Sequence, residues 1–342
     1  MKAALKHAII RTGLEAIAAS RAGSLWPQAG GRGVIFTLHH VRPESAESFV
    51  PNALLSVTPE FLDQAIAASK ESGLVPVALE DLPHLLADPD DKRRFVAFTL
   101  DDGYRNNAEF AAPVFRKHKV PYTIFITEGF VERTRSLWWE VAEALLRRAS
   151  SIRLDTGTGS EELPLATPGQ KNAAFERLSR LIQSIEEDTA VAQIERLASA
   201  HGIDPLGVTD RLIMSNDELR RLAADPLARF GAHTLTHVNL RRVDDARLRS
   251  ELTGSIDAVE NNVGYRPNAF AYPYGYPSAV GDREIKAAAE AGLSIAVTTQ
   301  PGVLAPSNLD RPTAFHRVSL NGLFQKKRYV KALISGIPFR LM

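Results

Sequence analysis

The sequence contains no cysteine. That excludes disulfides, thiolate zinc sites, iron–sulfur clusters and cysteine nucleophiles, and it leaves His, Asp, Glu and backbone oxygen as the metal donors. No charge of one sign dominates either. Lys and Arg number 41 against 40 Asp and Glu, a net charge of +1, so the chain lacks the basic excess of a nucleic-acid binder. No apolar run approaches the ~20 residues that span a bilayer. Near the N-terminus, Lys6, His7, Arg11 and Glu15 interrupt every stretch that could serve as the apolar core of a cleaved signal peptide. The expected location is therefore cytoplasmic or peripheral to a membrane.

What is present is a globular composition. Of 342 residues, 44% are apolar and 24% charged, enough for a large core and too apolar for a disordered chain. Residues 1–32 form a helical segment in which Ala4, Leu5, Ala8, Ile9, Leu14 and Ile17 recur at helical spacing. Residues 323–342 form a basic and apolar C-terminal helix. Both either pack on the main domain or touch a membrane surface.

Between them, residues 33–322 read as one α/β unit. Seven short runs are rich in β-branched and aromatic residues: 34–38, 95–100, 122–127, 229–232, 269–272, 294–298 and 315–320. Most show no alternation, as expected for a parallel sheet covered on both faces. Helical patterns lie between them, at 58–73, 106–118, 244–263 and 282–291. One stretch breaks the rhythm. Residues 137–210 carry helical patterns and the polar tract 155–170 but no evident strand, and read as a helical insertion.

Three segments concentrate polar residues just after strands, where active-site groups gather in such folds. In Phe98-Thr99-Leu100-Asp101-Asp102-Gly103-Tyr104, two adjacent carboxylates end an apolar run; the pair suits a turn with a helix cap as well as a catalytic pair. In Gly231-Ala232-His233-Thr234-Leu235-Thr236-His237, two imidazoles stand four apart without the Glu of a helical zinc motif. In Phe270-Ala271-Tyr272-Pro273-Tyr274-Gly275-Tyr276-Pro277, aromatics alternate with Pro and Gly, either as a rigid loop on the core or as a pocket wall. Asp, His and His together would make a three-ligand divalent site, with the spare Asp as general base toward water activated there.

These residues resemble the polysaccharide deacetylase family of carbohydrate esterases, which includes chitooligosaccharide and peptidoglycan deacetylases. Phe98–Tyr104 is similar to the family's T-F-D-D-G motif, with Leu100 in place of Phe. His233–His237 fits H-[ST]-x-x-H, and 270–275 is similar to F-R-P-P-Y-G. The resemblance spans roughly 34–320, the insertion aside. It implies a distorted (β/α) barrel of about seven parallel strands and a divalent metal, usually zinc. It implies hydrolysis of N-acetyl groups on an amino-sugar polymer or oligosaccharide, an N-acetylated glycan being the partner. Carried over by position, Asp101 is the base, Asp102, His233 and His237 are the metal ligands, and the Tyr274 N–H serves the oxyanion.

Departures accompany the match. Ala271 stands where the family has an Arg that orients the base, and Arg266 or Arg317 would have to replace it. No D-x-x-D-W segment occurs near 294–300. The general acid is His316, in a poor context, or His39, which aligns with the T-Y-H-R-V start of a biofilm-glycan branch; a core or capping role also suits His39 and His40. Tyr272, Trp138 and Trp139 are candidate sugar platforms, with core packing the alternative for the tryptophans. Other functions open to the same residues are a metal-dependent amidohydrolase on a small or cyclic amide and a catalytically silent carbohydrate-binding relative.

Overall fold

The computed structural model describes residues 2–20, 23, 26–155 and 159–340. Residues 156–158 of the polar tract, like residues 1, 21–22 and 24–25 of the N-terminal segment and 341–342 at the other end, lie outside the described residues.

The first helix is α1 (Lys2–Ser20), and the Val-Ile-Phe run that follows forms β1 (Gly33–Leu38). Thr58 then caps α2 (Pro59–Glu71), its hydroxyl accepting from the Phe61 N–H at 3.1 Å with Pro59 in the first turn. The chain continues through β2 (Leu74–Pro76), β3 (Arg94–Leu100) and β4 (Tyr122–Ile126). The insertion comprises α3 (Trp138–Arg148), a hairpin of β5 (Ser151–Asp155) and β6 (Ser160–Pro164), and α4 (Pro168–Ser184), α5 (Glu187–Ala200) and α6 (Pro205–Leu212). The rest is β7 (Ala228–Ala232), α7 (Asp245–Val263), β8 (Ala269–Ala271), α8 (Asp282–Glu290), β9 (Ile295–Val297), β10 (Val318–Ser319) and α9 (Lys327–Ile334).

Among the described residues the main sheet has eight strands, ordered β9-β8-β7-β4-β3-β1-β10, with β2 beside the first half of β3. Every pairing is parallel. Phe315 bridges Val297 of β9, three residues before β10 joins β1, so residues 315–319 connect the two ends of the curled sheet. All seven anticipated strands are present. The eighth, β2, is three residues long and ends in Pro76, too short to show a pattern.

Two apolar layers follow from period-two alternation. Val34, Phe36, Leu38, Val96, Phe98 and Leu100 pack outward against the helices. Ile35, Ala97, Phe125, Ala271, Val297 and Phe315 fill the interior. The insertion has an apolar cluster of its own, built on Leu145, Leu146, Ile152, Leu178, Ile182 and Ile194. Its hairpin departs from the strandless reading. The β5 side chains alternate between buried Ile152 and Leu154 and outward positions, but β6 is Ser-Glu-Glu-Leu-Pro, whose one buried side chain is Leu163. Such a strand forms by pairing with β5, not by its own propensity.

Candidate active site

The inward positions lead to the cleft. Thr37 on β1, Thr99 on β3 and the residues just past the strand ends face one another at the C-terminal rim. Asp101 and Asp102 follow β3 directly, and Asp102 (φ 75°) and Gly103 (φ 75°) turn the chain sharply. The two neighbouring carboxylates therefore face different partners.

Asp101 is buried and gripped by Arg317. Guanidinium Nη1 and Nη2 donate to Oδ1 and Oδ2 at 2.7 and 2.8 Å, a bidentate pair. Arg317 is 0% exposed; it also donates to the Thr99 hydroxyl at 3.1 Å and, through Nε, to the Thr298 carbonyl at 2.8 Å. His39 Nε2 stands 4.0 Å from Asp101 Oδ2. Burial pushes the Asp101 carboxyl up, but Arg317 and the nearby imidazoles outweigh it, and the net shift is downward.

Asp102 faces the two imidazoles. Its Oδ1 lies 3.5 Å from His233 Nε2 and 3.4 Å from His237 Nε2, and one donor atom from each residue lies within 4.8 Å of the others. That Oδ1 is buried and has no hydrogen-bond partner among the described residues. The set fits a divalent cation. Two ligands at ~2.0–2.2 Å on tetrahedral corners stand ~3.4 Å apart, and an orphaned buried carboxylate oxygen is otherwise costly. The far side of His233 is fixed, since its Nδ1 is 2.6 Å from the Ala271 carbonyl, which leaves Nε2 for the cluster. Burial brings the His237 imidazole down to about 4, keeping it neutral. Burial also acts downward on His233, but Asp102 and Asp101 outweigh it and the net shift is upward.

The loop bearing these histidines is strained and clamped. Thr234 (φ 65°) and His237 (φ 57°), like Asp102 and Tyr274 (φ 62°), hold left-handed backbone, at a cost of about 1–3 kcal/mol each for a non-glycine residue. Buried Glu251 on α7 accepts the N–H groups of Leu235 and Thr236 at 2.8 and 2.9 Å, and Thr234 Oγ1 accepts from the His237 N–H at 2.9 Å. Tyr274 is held at both ends. Its hydroxyl donates to Glu187 Oε1 of the insertion at 2.5 Å and accepts from Trp138 Nε1 at 3.2 Å. Its carbonyl accepts from Thr299 Oγ1 at 2.6 Å. Gly275 (φ 65°) is required next, because a Cβ there would lie 2.6 Å from the Thr299 nitrogen.

A cavity of about 350 Å³ opens over Asp101, Asp102, His233 and His237. The sequence profile of the polysaccharide deacetylase family matches residues 88–296, more than half of the chain. The chain belongs to the polysaccharide deacetylase family. It is thus a hydrolase acting on carbon–nitrogen bonds outside peptides. Solved structures share the fold. Streptococcus pyogenes deacetylase PplD, in complex with acetate, is 17% identical with a TM-score of 0.55, over 85% of this chain and 93% of that one. IcaB from Ammonifex degensii is 16% identical with a TM-score of 0.52, over 87% and 96%. The polysaccharide deacetylase BC0361 from Bacillus cereus is 15% identical with a TM-score of 0.55, over 88% and 68%. A search of curated proteins finds no match.

The deacetylase cleft gathers most of the residues singled out from sequence. His39, Trp138, Trp139 and Tyr274 line the cavity. The Trp139 ring lies 5.0 Å from that of His237, and its Nε1 donates to the Tyr104 hydroxyl at 2.9 Å. Two candidates stand apart. Tyr272 does not line the cavity. It follows inward-facing Ala271, so alternation turns it outward, where it is buried and donates to the Thr313 carbonyl at 2.8 Å. His316 precedes inward-facing Arg317 and for the same reason lies outside the cavity lining. His40 is a core residue: its ring packs tilted against that of Tyr104, centroids 3.6 Å apart, and bridges Asn106 and Glu140. Of the two replacement arginines, Arg317 is the one at Asp101; Arg266 is exposed and pairs with Asp257 and Glu260. Sequence reasoning missed Asn52, Leu54, Leu55 and Phe175 in the cavity wall and Glu187 behind Tyr274. None sits in a motif.

Proposed function

We propose that this protein hydrolyses N-acetyl groups on the amino-sugar residues of a polysaccharide or oligosaccharide, with a divalent cation held by Asp102, His233 and His237. One observation carries the reading: two adjacent carboxylates are separated into a cation-facing Asp102, with an orphaned oxygen beside two imidazole nitrogens, and an arginine-gripped Asp101. The nitrogen and oxygen donors, without thiolate, favour zinc.

A bound cation supplies Lewis acidity, which lowers the pKa of water toward neutrality and polarises a carbonyl. Asp101, kept ionised by Arg317, accepts the proton of the water that attacks the acetamide carbon. The Tyr274 N–H, which has no protein acceptor among the described residues, donates to the developing oxyanion. Breaking the C–N bond releases acetate once the leaving nitrogen gains a proton. His39 delivers it, since it lines the cavity 4.0 Å from Asp101 and His316 does not. Trp138, Trp139 and Tyr276 bound the space for the sugar.

The experiment is acetate release from a panel of N-acetylated oligosaccharides and cyclic amides, with and without chelator. Turnover of the glycans that stops on chelation and returns with zinc supports the reading. Turnover of cyclic amides alone, or indifference to chelation, contradicts it.

A further inference from the structure

Seven large apolar side chains are exposed among the described residues, and three of them, Leu5, Ile9 and Ile10, lie on α1. Leu5 and Ile9 are 62% and 64% exposed and stand one turn apart, on one face of the helix. The opposite side is docked: Leu14 packs with Tyr329 and Ala332 of α9, and Glu15 pairs with Lys326 and Arg328. At 3.6 residues per turn Lys6 borders the free face and Arg11 projects on the flank nearer the docked side; both are exposed and form no ion pair among the described residues. Glu15, the sole acid of this helix, is already engaged.

Placement matters as much as composition. The His7 ring lies 6.3 Å from Phe324, and Gly322, two residues before it, donates to the Leu54 carbonyl at 3.2 Å. Leu54 is 48% exposed and lines the catalytic cavity. At the other end of α9, the Ile334 carbonyl accepts from Arg94 at the start of β3. The free turns of α1 therefore stand at the cleft end of the barrel, on the side of the apolar Leu54 lip. No helix among the described residues is long and apolar enough to cross a membrane.

We infer that the first three turns of α1 dock on the surface of an anionic lipid bilayer, with Leu5 and Ile9 entering the interface, Lys6 meeting lipid headgroups and Arg11 adding to the attraction from further off. An exposed apolar pair beside unpaired cations is what such a surface binds. A second copy of the chain is the poorer occupant, because joining the two stripes would bring like charges together. The docked helix brings the cleft mouth to the membrane, so the substrate class is a glycan held at that surface; this last step rests on the deacetylase reading.

The test is sedimentation of the full chain with vesicles of phosphatidylcholine alone or mixed with phosphatidylglycerol, which does not depend on catalysis. The wild type is expected to bind the anionic vesicles at low salt and to dissociate as salt rises. Leu5→Glu with Ile9→Glu, or Lys6→Glu with Arg11→Glu, should lower the bound fraction by about tenfold or more, with unchanged circular dichroism and unchanged acetate release from a soluble oligosaccharide. Wild type left in the supernatant at low salt, equal binding by the double variants, or a dimer that Ile9→Glu splits would overturn the inference.

Discussion

The barrel and its insertion contribute to one cleft in different ways. The barrel provides every ionisable group at the proposed reaction centre, from strand ends that are packed on both faces: Asp101 and Asp102 after β3, His233 after β7, Arg317 before β10. The insertion provides bulk and support. Trp138, Trp139 and Phe175 wall the cavity, and Glu187 braces Tyr274. Charge placement within tenths of an ångström needs a scaffold over-determined by strand pairing. A wall needs only shape, and an insertion with its own apolar cluster can change without disturbing the ligands.

Variants should separate these contributions. The largest effect belongs to the proposed barrel ligands. Asp102→Ala or His233→Ala should lose bound metal and acetate release together, measured by elemental analysis beside activity. Arg317 comes next. Arg317→Ala leaves the Asp101 carboxylate buried without its partner and should destabilise the fold by about 3–5 kcal/mol in denaturant titration. Arg317→Lys keeps a charge but loses the bidentate grip, so it should retain the fold and lower kcat. Arg266→Ala, at an exposed pair, should shift stability by under about 1 kcal/mol and leave activity unchanged.

Insertion variants test the other half. Glu187→Ala releases the Tyr274 hydroxyl and should lower kcat by up to ~10²-fold, the scale on which oxyanion donors act, at nearly constant KM. Glu187→Gln keeps an accepting oxygen for Tyr274 but turns its amide nitrogen toward the Asn239 N–H, which the second carboxylate oxygen accepts at 2.9 Å, so it should retain more activity than Glu187→Ala at some cost in stability. The smaller effect among the insertion variants is Trp138→Ala, which should raise KM about two- to tenfold, matching the ~0.5–1.5 kcal/mol of an aromatic contact. A fall in kcat at unchanged KM would make Trp138 a brace for Tyr274, not a wall. Equal loss of metal in insertion and barrel variants would dissolve the distinction between the two regions.

The barrel was far more legible in the sequence than the insertion, for a physical reason. Its strands are continuous apolar runs, and Asp101, Asp102 and His233 follow them within one or two residues, with His237 one short turn further on, so local pattern and spatial position coincide. Arg317 was legible only as one of two options, because its role depends on residues 315–319 joining the ends of the sheet. Tyr272 and His316 were misplaced because a motif marks a segment, whereas period-two alternation selects which residue of that segment faces inward. Glu187 and Phe175 carry no local signal. They reach the cleft through tertiary packing across 87 residues in one case and through the fold of the insertion in the other. The β5–β6 hairpin was hidden because β6 is polar and pairs through its backbone.

The separation of roles between Asp101 and Asp102 is the central claim, and Asp101→Asn tests it most directly, with zinc titrated into the chelated protein while acetate is measured from an N-acetylated oligosaccharide. The account predicts one equivalent of zinc bound as in the wild type and acetate release lower by ~10²–10⁴-fold, the span of general base catalysis. Zinc binding lost with the activity, or near-normal turnover by the variant, would contradict it.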